Sequence, residues 1–170
     1  RGVERPPGPA EGVAGDLVVF KVAAAAAEAG RDLDAVEAVA ARANSRTRSL
    51  GVAFDGCTLP GASEPLFTVP AQRIGVGLGI HGEPGISEED MMPASALAKM
   101  LVDKLVKEKP ADCKGRVAVI LNGLGCTKYE ELFVLWVSVD AELKKAGLTA
   151  VEPEVGEYVT SMDMAGCSLT

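Results

Sequence analysis

Apolar and polar positions along this chain follow two periods, one helical and one extended. The spacing predicts an alanine-rich helix from Asp16, as N-cap, to Ala29, closed by Gly30. "DLDAVEAVAARANS" puts Leu33, Val36, Val39 and Ala40 on one face of a second amphipathic helix. "SLGVAF" (49–54) reads as a short strand, "DGCTLPGASEP" as turn chemistry, and "LFTV" and "RIGVGLGI" as further strands. Pro93 then opens a helix at its first position, with an apolar stripe through Leu97, Leu101 and Leu105. "RVAVILNGLG" is a buried strand running into a turn. "YEELFVLWVSVDAELKKAG" is a long helix stopped by Gly147, and its dense apolar content, the only Trp included, predicts burial on more than one side. "TAVEPEVGEYVT" and "CSLT" are strand-like. Strands alternate with helices in the second half, so the expected class is α/β, a mixed β-sheet covered by helices.

Residues 1–15 carry three prolines and four glycines and read as a loop, linker or frayed start, with residues 16–170 as the folded part. The chain opens on Arg1 rather than Met and stops inside a strand-like segment, so a fragment is expected. At 170 residues and 48% hydrophobic composition there is material for a sizeable core. A net charge of −7, with scattered basic residues and few aromatics, argues against a nucleic-acid partner. No apolar run reaches the roughly 18–20 residues that cross a bilayer, so no membrane partner is expected. Cys57, Cys113, Cys126 and Cys167 form no CxxC pair, and one histidine cannot complete a zinc set. They read as buried free thiols of a cytoplasmic protein.

The only histidine, His81, lies within "RIGVGLGIHGEPGI". Gly77, Gly79 and Gly82 satisfy G-x-G-x-x-G, but Glu83-Pro84-Gly85 follow at once and no helix can start before Pro93. The mechanics of a dinucleotide loop, a strand leading directly into a helix N-terminus, are therefore not met. Two readings stay open. His81 is an ordinary turn histidine, or the glycines at 75, 77 and 79 bare one strand face so that a small ligand or another backbone comes close. In the second case a neutral imidazole is a nucleophile, and Glu83 stands near enough in sequence to orient it. Asn122–Gly125 ("NGLG") offers backbone donors for a phosphate or hydroxyl, or is plain turn chemistry. Ser161 and Asp163 lack the second histidine that would complete a triad. "SEED" (87–90) reads as a solvated acidic turn.

"GVGLGIHGEPGI" closely resembles the loop of the dihydroxyacetone (glycerone) kinase family, in the DhaK-type domain or subunit that binds the ketone. "GVAGDLVVFKVAAAAAEAG", "SLGVAFDGCTLPG", "FTVP", "RVAVILNGLGCTKYEEL" and "EYVTSMDMAGCSLT" resemble the same family in the same order, from about Gly12 to Thr170. The resemblance implies the C-terminal part of that domain, with His81 adding through a ring nitrogen to the ketone carbon of dihydroxyacetone. It also implies Gly79 and Gly82, with His81, as substrate-binding residues. A ketone has an electrophilic carbon and glycerol has none, so covalent capture separates the two better than matched hydroxyls could.

The resemblance also implies ATP and Mg²⁺ carried on a separate helical domain or subunit of the DhaL type, not on this chain, which has no P-loop. A homodimer is implied as well. Glyceraldehyde, tetruloses and FMN-cyclase chemistry also occur in the family. An earlier half of the family's domain, with a second histidine and an aspartate proposed as base, has no counterpart in these residues, so His81 alone carries over. The proline-rich "VERPPGPAE" departs from the family pattern. The expected function is the substrate-binding part of a glycerone kinase, and the alternative is a non-catalytic ketose sensor of the same family.

Overall fold

The computed structural model describes residues 14–79 and 85–170. Its elements run α1 (Gly15–Glu28), α2 (Leu33–Arg46), β1 (Leu50–Ala53), β2 (Arg73–Val76), β3 (Ser87–Asp90), α3 (Ala94–Lys107), β4 (Arg116–Gly123), α4 (Tyr129–Lys145), β5 (Thr149–Gly156) and β6 (Gly166–Leu169). The strands form one six-stranded sheet in the order β3-β2-β1-β6-β4-β5. Only β4 and β5 are parallel, joined by α4 as the crossover helix. All other pairs are antiparallel, with Leu50 opposite Leu169 and Leu121 opposite the same residue on the other side. The α/β class with a mixed, helix-covered sheet is borne out.

Strand alternation sorts the side chains into two layers. Leu50 and Val52, Ile74 and Val76, Val119 and Leu121, and Cys167 and Leu169 project into one core. Leu97, Leu101 and Val102 of α3 and Leu132, Leu135, Val139 and Leu143 of α4 close that layer. Ala53, one residue on from Val52, belongs instead to a second cluster with Cys57, Leu124 and Met164. Leu121 is fully buried in the middle of the sheet. Leu121→Ala is expected to lower unfolding free energy by about 3 kcal/mol, read from the denaturation midpoint, because neighbouring strands cannot collapse into the space left.

Several sequence expectations are corrected. Asp16 is not the N-cap: the helix starts at Gly15, after Ala14 as N-cap, and Asp16 lies in the first turn, where its charge favours the helix N-terminus. Pro93 caps α3 from outside rather than occupying its first position. Asp32 does cap α2, accepting from the Ala35 N–H at 2.9 Å. Leu33, at the first position of α2, points to solvent, and nothing in that helix is fully buried. "LFTV" is not a strand, because both edges of β1 are already taken by β2 and β6. Its Phe67 and Val69 pack on the second cluster instead. The "RIGVGLGI" strand stops at Val76, since Gly77 turns with φ +76°.

In α4 one stripe is buried, whereas Phe133, Val134 and Val137 are exposed, Val137 by 70%. The expected multi-sided burial is therefore absent, although Gly147, at φ +73°, does end the helix. "SEED" is an edge strand rather than a turn, paired with β2 along its length. Of the four thiols, which are all free, Cys57 and Cys167 are buried, Cys113 is half-buried and Cys126 is exposed.

Candidate functional site

The second face of the sheet carries small side chains. Gly51 and Ala53 of β1, Gly75 of β2, and Gly166 and Ser168 of β6 leave little relief, and loops cover them instead of helices. One loop follows β1, another links β5 to β6, and a third leaves β2 toward β3. Phe67, Val69, Leu78 and Val159 from these loops meet the buried Ala53, Cys57, Leu124 and Met164.

The third loop holds the histidine motif. His81, Gly82 and Glu83 lie outside the described residues, but both limbs of the loop are described. Gly77 donates its N–H to the Gly51 carbonyl at 2.7 Å, and Ile86 donates to the Val76 carbonyl at 2.7 Å. A Cβ on Gly77 would sit 2.6 Å from Ile86 Cγ1, and one on Gly85 would sit 2.9 Å from the Val76 carbonyl oxygen. Glycine is required there for the two limbs to lie side by side. Gly79 is half-buried at the end of the first limb.

The space over Gly75 is not open to a ligand, as the glycine spacing suggested. A Cβ there would meet Leu78 Cδ1 at 2.2 Å, so the chain fills that face itself after turning at Gly77. The close approach is made by the protein's own side chain.

In "NGLG" the Leu124 N–H is already engaged, as is that of Cys126 just beyond the motif. Leu124 N–H is given to the Gly166 carbonyl at 3.1 Å, and Cys126 N–H to the Met164 carbonyl at 3.1 Å. Asn122, fully buried near the end of β4, organises the β5–β6 loop. Its Oδ1 accepts from the Tyr158 and Val159 N–H groups at 2.8 and 2.9 Å. Its Nδ2 donates to the Val159 carbonyl at 2.8 Å and approaches Ser168 Oγ at 3.4 Å. The signal available in the sequence was a primary amide ending a run of strand-forming apolar residues, which must find partners wherever that strand is buried.

Asp163 lies on the same loop, and its Oδ1 accepts from the Thr58 N–H at 2.6 Å. That bond holds its carboxyl below the usual carboxylate range. Ser161 Oγ lies 3.5 Å from Cys57 Sγ. Ser161 and Asp163 thus stitch the β5–β6 loop to the loop after β1. Burial pushes the Cys167 thiol up to about 12, leaving it inert beneath the sheet.

The acidic strand β3 is balanced by Arg73, whose guanidinium pairs with Asp90 and donates to the Glu88 carbonyl at 3.0 Å. At the N-terminus of α4, Glu131 turns its own carboxylate onto the Lys128 N–H at 3.0 Å. That carboxylate satisfies one of the N–H groups at the start of the helix from within.

A family model described as the Dak1 domain matches residues 9–170. The chain belongs to the Dak1 domain family. The resemblance read from the sequence is borne out at that level. A D-erythrulose kinase of Mycolicibacterium smegmatis is 64% identical over 159 residues, covering 94% of this chain and 27% of that protein. An L-erythrulose kinase of Pectobacterium atrosepticum is 62% identical over 163 residues, covering 94% and 28%. The dihydroxyacetone-binding subunit DhaK of a PTS-dependent kinase from Listeria innocua is 43% identical over 159 residues, covering 94% and 48%.

Among solved structures, the native dihydroxyacetone kinase of C. freundii superposes with a TM-score of 0.83 at 33% identity, over 98% of this chain and 30% of that one. The dihydroxyacetone kinase operon co-activator DhaQ gives 0.84 at 32% identity, over 92% and 49%. This Dak1 chain therefore spans between about a quarter and a half of the length of these relatives.

Proposed function

We propose that this Dak1 chain is the substrate-binding part of a kinase for short ketoses, with His81 as the group that captures the ketone. The observation that carries the reading is the intact "GIHGEPG" loop in a chain 64% and 62% identical to two erythrulose kinases. Dihydroxyacetone-binding subunits stand at lower identity, 43% for the Listeria protein. These identities support reading a four-carbon ketose ahead of dihydroxyacetone as the substrate. Two of these relatives carry opposite enantiomers of erythrulose in their names, so the test below includes both.

In the capture step a ring nitrogen of neutral His81 donates its lone pair to the ketone carbon. An N–C bond forms, the C=O π bond breaks, the other ring nitrogen gives up its N–H proton and the oxygen gains one, so that a neutral hemiaminal with a hydroxyl results. Nothing leaves, so the adduct weighs the sum of its parts. Capture fixes the terminal hydroxyl for phosphoryl transfer, and the gain is one of positioning. ATP with Mg²⁺ would supply the phosphoryl group from a separate DhaL-type domain or subunit. A homodimer and a cytoplasmic setting complete the proposal.

Intact-protein mass measurement on the complete polypeptide, with D-erythrulose, L-erythrulose and dihydroxyacetone in turn, tests the reading together with an ATP-coupled kinase assay. The expected result is an adduct of full ketose mass and phosphorylation of one erythrulose enantiomer at least about tenfold above dihydroxyacetone in kcat/KM. Absence of any adduct under turnover conditions overturns it. The likeness to the DhaQ co-activator favours a second reading, a ketose sensor, and adduct formation without phosphorylation would select it.

A further inference from the structure

The first helix is apolar around most of its circumference and buries nothing completely. α1 reads GDLVVFKVAAAAAE, and none of its residues is fully buried. α3, of equal length, buries Leu97, Ala98, Leu101 and Val102. Phe20 is 63% exposed and Val22 39%. The one cation of α1, Lys21, pairs with Glu154 of β5, which leaves the outward face to Phe20, Ala24 and Ala27 at helical spacing. A helix apolar on all sides belongs in an interior, not on a surface. Its inner side is also lightly seated. A cleft of about 350 Å³ separates Val18, Val22 and Ala43 of the α1–α2 hairpin from Val106, Val117 and Leu148 of the body.

We infer that the outward face of α1 is the seat of the remainder of the same ketose-binding subunit. The occupant is indicated by length. The Listeria subunit matches 94% of this chain within 48% of its own residues, so about as much chain again belongs to one such subunit. The alanines at 24 and 27 give a low surface on which a second element approaches closely, and Phe20 is the knob that enters it. Asp16 and Glu28 stand at the two ends of the helix and leave the centre of the face uncharged. This inference is independent of His81 chemistry.

The test uses the complete natural polypeptide. Hydrogen exchange of the amides of 15–28 is expected to be slowed to within about tenfold of those of β4, as in a helix closed on both sides. Phe20→Glu is expected to lower Tm by about 5 °C or more, and Phe20→Leu to restore most of it. Exchange of α1 at the rate of an exposed helix, or a Phe20→Glu protein of unchanged Tm, overturns the inference. Conversion of a dimer to a monomer by Phe20→Glu, with the Tm of the monomer retained, assigns the face to a second copy and also overturns it.

Discussion

His81→Ala in the complete kinase is expected to abolish the ketose adduct and to lower kcat/KM by about 10³-fold or more. The estimate follows from what capture supplies. Holding a reacting hydroxyl in place is worth up to about 7–11 kcal/mol when orientation is complete, and a loss of 10³ corresponds to only about 4 kcal/mol. The remainder stays with hydroxyl contacts that the variant keeps. Folding should be little changed, since the limbs at Gly77 and Ile86 are tied to Gly51 and Val76 through backbone groups. The variant should also lose the preference for a ketose over the matching polyol, because only the carbonyl distinguishes them covalently. Intact mass and paired kcat/KM values for ketose and polyol measure both effects. A His81→Asn protein that retains activity within about tenfold would show that the ring acts as a hydrogen-bonding group, and nucleophilic capture would be refuted.

The elements that the sequence made legible are those in which local chemistry and tertiary packing agree. β4 and α4 come from a continuous apolar strand and a long periodic helix, and Gly147 ends α4 because only a left-handed residue continues the chain there. The elements that were misread depend on distant partners. "LFTV" has strand composition but no free strand edge beside it, so it becomes loop and packs by its side chains. "SEED" has turn composition, yet Arg73 and the open edge of β2 draw it into the sheet. Local propensity yields in both cases to which edge is vacant.

The construction of the candidate site was not legible in the sequence. The glycine run correctly marks a tight loop, but the residue that fills the Gly75 face, Leu78, could not be found by spacing, because the turn at Gly77 reverses the direction in which side chains count. α1 shows the same limit from the other side. Its alanine-rich composition specifies a helix, whereas the 63% exposure of Phe20 depends on tertiary packing that composition does not show.

Asn122→Ala is expected to destabilise the protein by about 3 kcal/mol and to weaken ketose capture without touching the histidine. The amide satisfies two backbone N–H groups and one carbonyl of the turn at Tyr158 and Val159, all at 2.8–2.9 Å. Alanine leaves these three groups without their partner, and each such loss inside a protein costs about 1–3 kcal/mol, less where water reaches the turn. Ser168→Ala should cost far less, under about 1 kcal/mol, because its contact with Nδ2 is long at 3.4 Å and the stronger bonds of Asn122 survive it.

The functional consequence follows from connectivity. Val159 and Met164 of the β5–β6 loop pack in the same cluster as Leu78, the residue before Gly79, so slackening that loop loosens the first limb of the histidine loop. Denaturant titration of both variants, paired with adduct yield at saturating ketose, separates the two effects. Equal stabilities for Asn122→Ala and Ser168→Ala would mean that the backbone turn holds itself. An Asn122→Ala protein that is destabilised but captures ketose fully would mean that the second cluster supports the fold and leaves the site alone.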